Sequence, residues 1–260
     1  MSRDFRSAAF SGCGNKPEIV NVAVAANTAP PADWASWGNG ILGYDNNPPN
    51  IAGMTVITGT DAVRMMYGAG QGVSVTAHNT ATSTFTTNDN PIANGISAGE
   101  LMIVCDSNAQ AAIFVASAVA GPPVNQVQHL QSATANVSPN LGLPIGSIAT
   151  FGVGGMLMPL ESIAWFVAVN ANGENSLYRS FVTGGVERAE EIVTGIENLQ
   201  LEYEELLGIN RPGVWRTANN VTNWGAVIAV RATITLDTGD VMSEQLGDIN
   251  HVAANRQRMP

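Results

Sequence analysis

The chain has 260 residues, long enough for one large β-rich unit or for two domains. Charged residues make up 12% against the roughly 25% usual for soluble chains, and hydrophobic residues 45%, which excludes a disordered chain, a coiled coil and a long amphipathic bundle. Eleven Lys plus Arg against 21 Asp plus Glu give a net charge of -10, so generic binding to nucleic acid or to an anionic membrane is disfavoured.

In chain order, Phe5, Ala8 and Ala9 fall on one face of a helix, with Gly12 and Gly14 as its C-terminal stop. From Asn15 to Ile51 the text is rich in Pro, Gly and Asn, holds Trp34 and Trp37, and keeps no period, which predicts a long ordered loop packed by its tryptophans. Beyond Gly59 come short apolar or alternating runs at Asp61–Tyr67, Gly72–Ala77, Glu100–Asp106, Gln110–Ala118 and Val124–Leu130, divided by turn residues. That spacing predicts antiparallel sheet rather than βαβ units. Asp106-Ser107-Asn108 has the form of a tight hairpin connection. Further strands are predicted at Ser147–Gly152, Glu161–Val169 and Leu177–Val182, the last two joined by a turn at Asn172-Gly173.

Between Val186 and Ile196, residues Ala189, Ile192, Val193 and Ile196 stand at i, i+3, i+4 and i+7, which predicts a short helix. The period then changes to 2 at Leu199, Leu201 and Tyr203, so the helix should feed an amphipathic strand. Val227–Leu236 is the strongest strand pattern, with Ile228, Val230, Ala232, Ile234 and Leu236 as its expected core face.

Catalytic and ligand-binding motifs are scarce. Gly38-Asn39-Gly40-Ile41-Leu42-Gly43 matches a phosphate-binding GxGxxG in letters, yet no strand precedes it and Pro48-Pro49 follows, so it reads as a glycine-rich turn. His78, His129 and His251 are isolated in sequence and form no triad or metal spacing. Glu187, Glu190, Glu191, Glu197, Glu202, Glu204 and Glu205 could be paired carboxylates for glycoside hydrolysis; their alternation favours a solvated face. Asn170–Glu174 offers oxygen ligands but lacks the acids of a calcium loop and reads as a hairpin turn. The tryptophans at 34, 37, 165, 215 and 224 read as anchors rather than a sugar-stacking surface. No catalytic, cofactor-binding or metal site is therefore predicted. Cys13 and Cys105 are either two buried thiols or one disulfide on these grounds. No run reaches the roughly 18 apolar residues of a membrane span.

Several segments together resemble PilW-type minor pilins of bacterial type IV pili: Arg3–Cys13, Trp37–Tyr44, Gly59–Arg64, Ala98–Asp106, Ser176–Arg179, Val193–Tyr203 and Trp224–Arg231, with Asn255–Arg258 near the end. The resemblance implies an α+β, mostly β chain with a truncated pilin fold, its short N-terminal helix end packed on antiparallel sheet with long loops. Residues 1–14 would be that helix end, 15–58 the loop and 59–260 the β-rich body of one domain. Members of the family carry a leader and an apolar anchor ahead of the segment resembling Arg3-Asp4, so this sequence is expected to be a soluble part. The cysteines stand where the family has cysteines, which implies a Cys13–Cys105 disulfide formed in an oxidising compartment.

The function so implied is non-enzymatic: priming of pilus assembly at the fibre tip, with other minor pilins of the same operon and a tip adhesin as partners. It places the full-length protein in the inner membrane before assembly and at the extracellular tip afterwards. Three alternatives are a type II secretion minor pseudopilin, a secreted β-rich carbohydrate-binding or adhesin module using Trp34, Trp37 or Trp215, and a glycosidase using Glu190, Glu191 or Glu197.

Overall fold

The computed structural model describes residues 1–13, 18–106, 110–208, 212–237 and 241–248. Among the described residues a single α-helix, α1 (Ser2–Ser7), precedes sixteen strands. The first eight are β1 (Glu18–Asn21), β2 (Ile41–Tyr44), β3 (Ala62–Gly68), β4 (Val73–Asn79), β5 (Thr84–Thr87), β6 (Leu101–Cys105), β7 (Gln110–Val115) and β8 (Ala118–Ala120). The rest are β9 (Gln126–Gln128), β10 (Met156–Val169), β11 (Asn175–Thr183), β12 (Val186–Thr194), β13 (Ile196–Leu206), β14 (Gly213–Arg216), β15 (Val227–Leu236) and β16 (Val241–Asp248).

Twelve strands form one branched sheet around β10, and four form a second in the order β14-β13-β15-β16. All pairings between these strands are antiparallel except β1 with β7. β10 is the spine because its central residues are apolar on both faces, as a strand covered on both sides requires. Ile163, Trp165 and Val167 join Phe5 of α1, Ala8 just beyond it and Leu199, Leu201 and Tyr203 of β13 in one core, while Ala164, Phe166 and Ala168 pack with Ile51 and Tyr178 in another.

The α+β pilin fold implied by the resemblance is overturned. The described residues are 47% strand and 8% helical and hold no pilin-like helix. The helix α1 stops after six residues because Ala8 turns to ψ 137° and Ala9 takes φ 63°, sending its N–H to the Met66 carbonyl of β3. The helix expected at Val186–Ile196 is the strand β12. Its β-branched Val186, Ile192, Val193 and Thr194 suit extended backbone. Gly184-Gly185, at φ 58° and 74°, joins it to β11 in a two-residue hairpin with Thr183 opposite Val186.

Other expectations shift at the edges. The segment 15–58 contains β1 and β2 as well as loop, and Ser147–Gly152 makes only an isolated bridge between Gly142 and Ser147. On β15, Val230 and Ala232 face the core as predicted, but a bulge opposite Glu204–Glu205 displaces Ile228 and brings Val227 into the core instead. Gly14, Ser107, Asn108, His251 and Asn255–Arg258 lie outside the described residues.

Candidate assembly interface

Asp4 on α1 is 6% exposed and gathers three donors from the large sheet. Its Oδ2 accepts from Trp165 Nε1 and from Arg179 Nε, each at 3.0 Å. Tyr67 Oη lies 3.2 Å from Asp4 Oδ1 and 2.9 Å from Glu161 Oε2, so its one proton serves one carboxylate at a time. Arg179 also stands 3.8 Å from both Glu161 and Glu190. One short helix is thereby tied to β3, β10, β11 and β12. Burial works against the Arg179 charge, but Asp4, Tyr67 and Glu161 together outweigh it and the guanidinium is held above its usual pKa. Burial, reinforced by Glu161, pushes the Tyr67 hydroxyl upward as well.

Beside this node the large sheet has a gap. β6 pairs with β10 as far as Pro159, and β11 joins the same edge only at Trp165. In the gap the Ala164 N–H is met by Ser180 Oγ at 2.8 Å instead of a strand. By strand alternation Ser162 directs its N–H and C=O to the same side, and no described strand pairs with it there. Ser162 is 2% exposed, and its Oγ is buried with no hydrogen-bond partner among the described residues. A groove of about 790 Å³ runs along the gap, between α1, the start of β6 and the β11–β12 hairpin. Its far end is narrow, for a Cβ on Gly99 would lie 3.2 Å from Gly184 Cα.

The hairpin is held from below by a second ion pair. Glu187 Oε1 accepts from Arg64 Nη1 at 2.7 Å and from Ser180 Oγ at 3.0 Å, and the two charged side chains are 5% and 11% exposed. Above it, Ser176 and Asn170 donate to Glu191 Oε1 and lower the Glu191 pKa. β12 pairs only with β11, so its other edge is unpaired among the described strands.

The glutamates singled out in the sequence divide. Glu190 and Glu202 are on the surface, whereas Glu187 is only 11% exposed and Glu205 is buried, each paired with an arginine, so the solvated-face reading fails for those two. Glu205 is 1% exposed. Burial opposes its charge, but donors from Thr222 and Asn223 and the Arg216 guanidinium prevail, and its pKa is lowered. The period of 2 through Leu201 and Tyr203 already points Glu205 inward.

Sequence spacing also hides the histidines. His78 Nε2 and His129 Nε2 lie 3.0 Å apart among Phe85, Phe114 and Phe151. Because His78 Nδ1 accepts from the Phe151 N–H, its own proton sits on Nε2 and points at His129. Burial lowers the two pKa values to about 4 and about 3. The described residues contain no group of three metal-ligating side chains.

The remaining motifs are architectural. A Cβ on Gly40 would lie 2.5 Å from Ala9 Cα, and one on Gly43 would collide with Tyr203, so the GxGxxG letters serve close packing. Asn170–Glu174 is a turn closed by Asn170 N–H and the Glu174 carbonyl. Trp165 is core, Trp224 packs edge-on against Tyr203, and Trp215 lies under Arg231. Cys13 and Cys105 form a disulfide with Cα atoms 5.4 Å apart.

Residues 164–255 match the family model described as type IV pilus-assembly protein W. The match supports a PilW-related family. It runs from the end of β10, takes in β11, β12 and the whole second sheet, and includes Arg179, Glu187 and Glu205. It supports a role in type IV pilus assembly and a place in the cell envelope or outside it, and the matched family is not one of enzymes. Searches of curated proteins and of solved structures find no match. No described helix is long and apolar enough to cross a membrane.

Proposed function

We propose that the chain is a non-enzymatic minor pilin subunit that primes type IV pilus assembly and sits at the pilus tip with other minor pilins of its operon, supporting an adhesin. The observation that carries this reading is the family match over residues 164–255, which coincides with the strands that grip α1 through Arg179. Low charge density suits the role, since subunit contacts then bury backbone and short side chains with little desolvation of charge. In the same reading the full-length protein is anchored in the inner membrane before it enters the fibre, and the Cys13–Cys105 disulfide secures the region after α1 during export.

The test is to mix this protein with the soluble domains of the other minor pilins of its operon and to follow size-exclusion chromatography by light scattering. A stable heteromeric species is expected. Monomers in every mixture would count against the priming role.

A further inference from the structure

We infer that the gap beside β10 is a docking groove for a lysine-bearing extended segment of another pilus-assembly subunit. The inference rests on the proposed role for its choice of partner and on the groove itself for the partner's chemistry.

Three observations converge. The β10 edge is left without a strand between the last pairing to β6 at Pro159 and the first to β11 at Trp165, so no described strand pairs with Ser162 on the side where the groove runs. The Ser162 Oγ at the groove floor is buried and unpartnered among the described residues, a cost that a ligand polar group would relieve. The charge is unbalanced: Arg3 and Arg179 face Asp4, Glu100, Glu161 and Glu190, a net of -2.

The imbalance sits at the mouth. Asp4 is saturated by Trp165, Tyr67 and Arg179, and Glu100 accepts from the Ser97 N–H. Glu161 and Glu190, 49% and 53% exposed, share one guanidinium at 3.8 Å that Asp4 already holds more closely, and Glu161 competes with Asp4 for the single Tyr67 hydroxyl proton. A single further cation between these two carboxylates completes the set. A flexible ammonium reaches such a point more readily than a planar guanidinium, which needs a fork of acceptors. The volume of about 790 Å³ lies within the range of pockets that hold a small ligand, enough for a few residues of extended chain.

The test uses a fluorescein-labelled Lys-Val-Lys-Val-Lys-Val peptide and its Glu-for-Lys counterpart, with anisotropy read at low and at 0.5 M salt as a rough screening limit. The lysine peptide should bind the wild-type protein and lose affinity in high salt, and the glutamate peptide should not bind. The E161Q/E190Q protein, whose amide oxygens still accept from Tyr67 and Arg179, should bind the lysine peptide at least tenfold more weakly while a cooperative thermal transition shows that it is folded. Equal binding of the two peptides, no binding of the lysine peptide, or full affinity in the double variant would overturn the inference. If the minor pilins still co-elute while the peptide fails, the groove proposal falls and the priming role stands. Peptide binding without co-elution supports the groove and counts against the priming role.

Discussion

Arg179 Nε and Asp4 Oδ2 meet at 3.0 Å across 175 positions of sequence, and this contact joins the first helix to the segment that carries the family match. Asp4 is nine-tenths buried and Arg179 four-fifths, so removing the guanidinium's partner leaves a largely buried charge unpaired. Asp4→Ala should therefore cost about 3 kcal/mol in urea denaturation, the scale for breaking a buried pair from one side. A double-mutant cycle with Arg179→Met should return a coupling above about 1 kcal/mol. Strict additivity would show that the two groups act independently.

The histidine pair predicts acid lability. Both folded pKa values, about 4 for His78 and about 3 for His129, lie below the ordinary 6.5. The unfolded chain therefore binds more protons as pH falls. Stability is complete above about 6.5 and drains by up to about 1.4 kcal/mol per pH unit for each histidine as pH drops toward the folded values. Urea titrations between pH 7 and 5, above the range of most carboxylates, should show this slope, and His129→Leu should roughly halve it. A flat profile would contradict the neutral buried pair.

Glu205→Ala should release the segment between β14 and β15. The substitution leaves the Thr222 and Asn223 amides and the Arg216 guanidinium without their shared acceptor. A loss of about 3 kcal/mol is expected, with faster amide exchange at Thr222 and Asn223. Unchanged exchange would mean that Trp224 and Tyr203 hold the segment unaided.

The hairpin that carries β12 turns on Gly184 and Gly185. Each sits in left-handed backbone, where an alanine costs roughly 1–2 kcal/mol. Gly185→Ala should destabilise by about that amount, and Gly185→Asn by less, since asparagine tolerates the conformation. Equal effects of the two would argue against backbone strain as the cause.

Reduction of the Cys13–Cys105 disulfide should remove about 4 to 5 kcal/mol on the chain-entropy account, given a sequence separation of 92. Denaturation of a Cys13→Ser/Cys105→Ser protein, with and without reductant, checks it. A variant as stable as the oxidised parent would contradict that account.

The strands are legible where one strong period runs without interruption. Val227–Leu236 and the alternation through Leu199, Leu201 and Tyr203 are found where the pattern puts them. Val186–Ile196 misleads because an exposed edge strand has no buried face to impose a period of 2. Chance spacing of Ala189, Ile192, Val193 and Ile196 then mimics a helix, while the better local signal is Gly184-Gly185 between two runs. Asp4, Arg179 and Glu205 cannot be brought together by reading along the chain, since their partners depend on sheet order. The gap at Ser162 is likewise a property of which strands reach β10 and where they stop.

The most direct test of the assembly role is deletion of the gene in its own host, with surface pili counted by electron microscopy. Loss of most pili, restored by the wild-type gene in trans, is the result predicted for a priming subunit. Normal piliation in the deletion strain would contradict it.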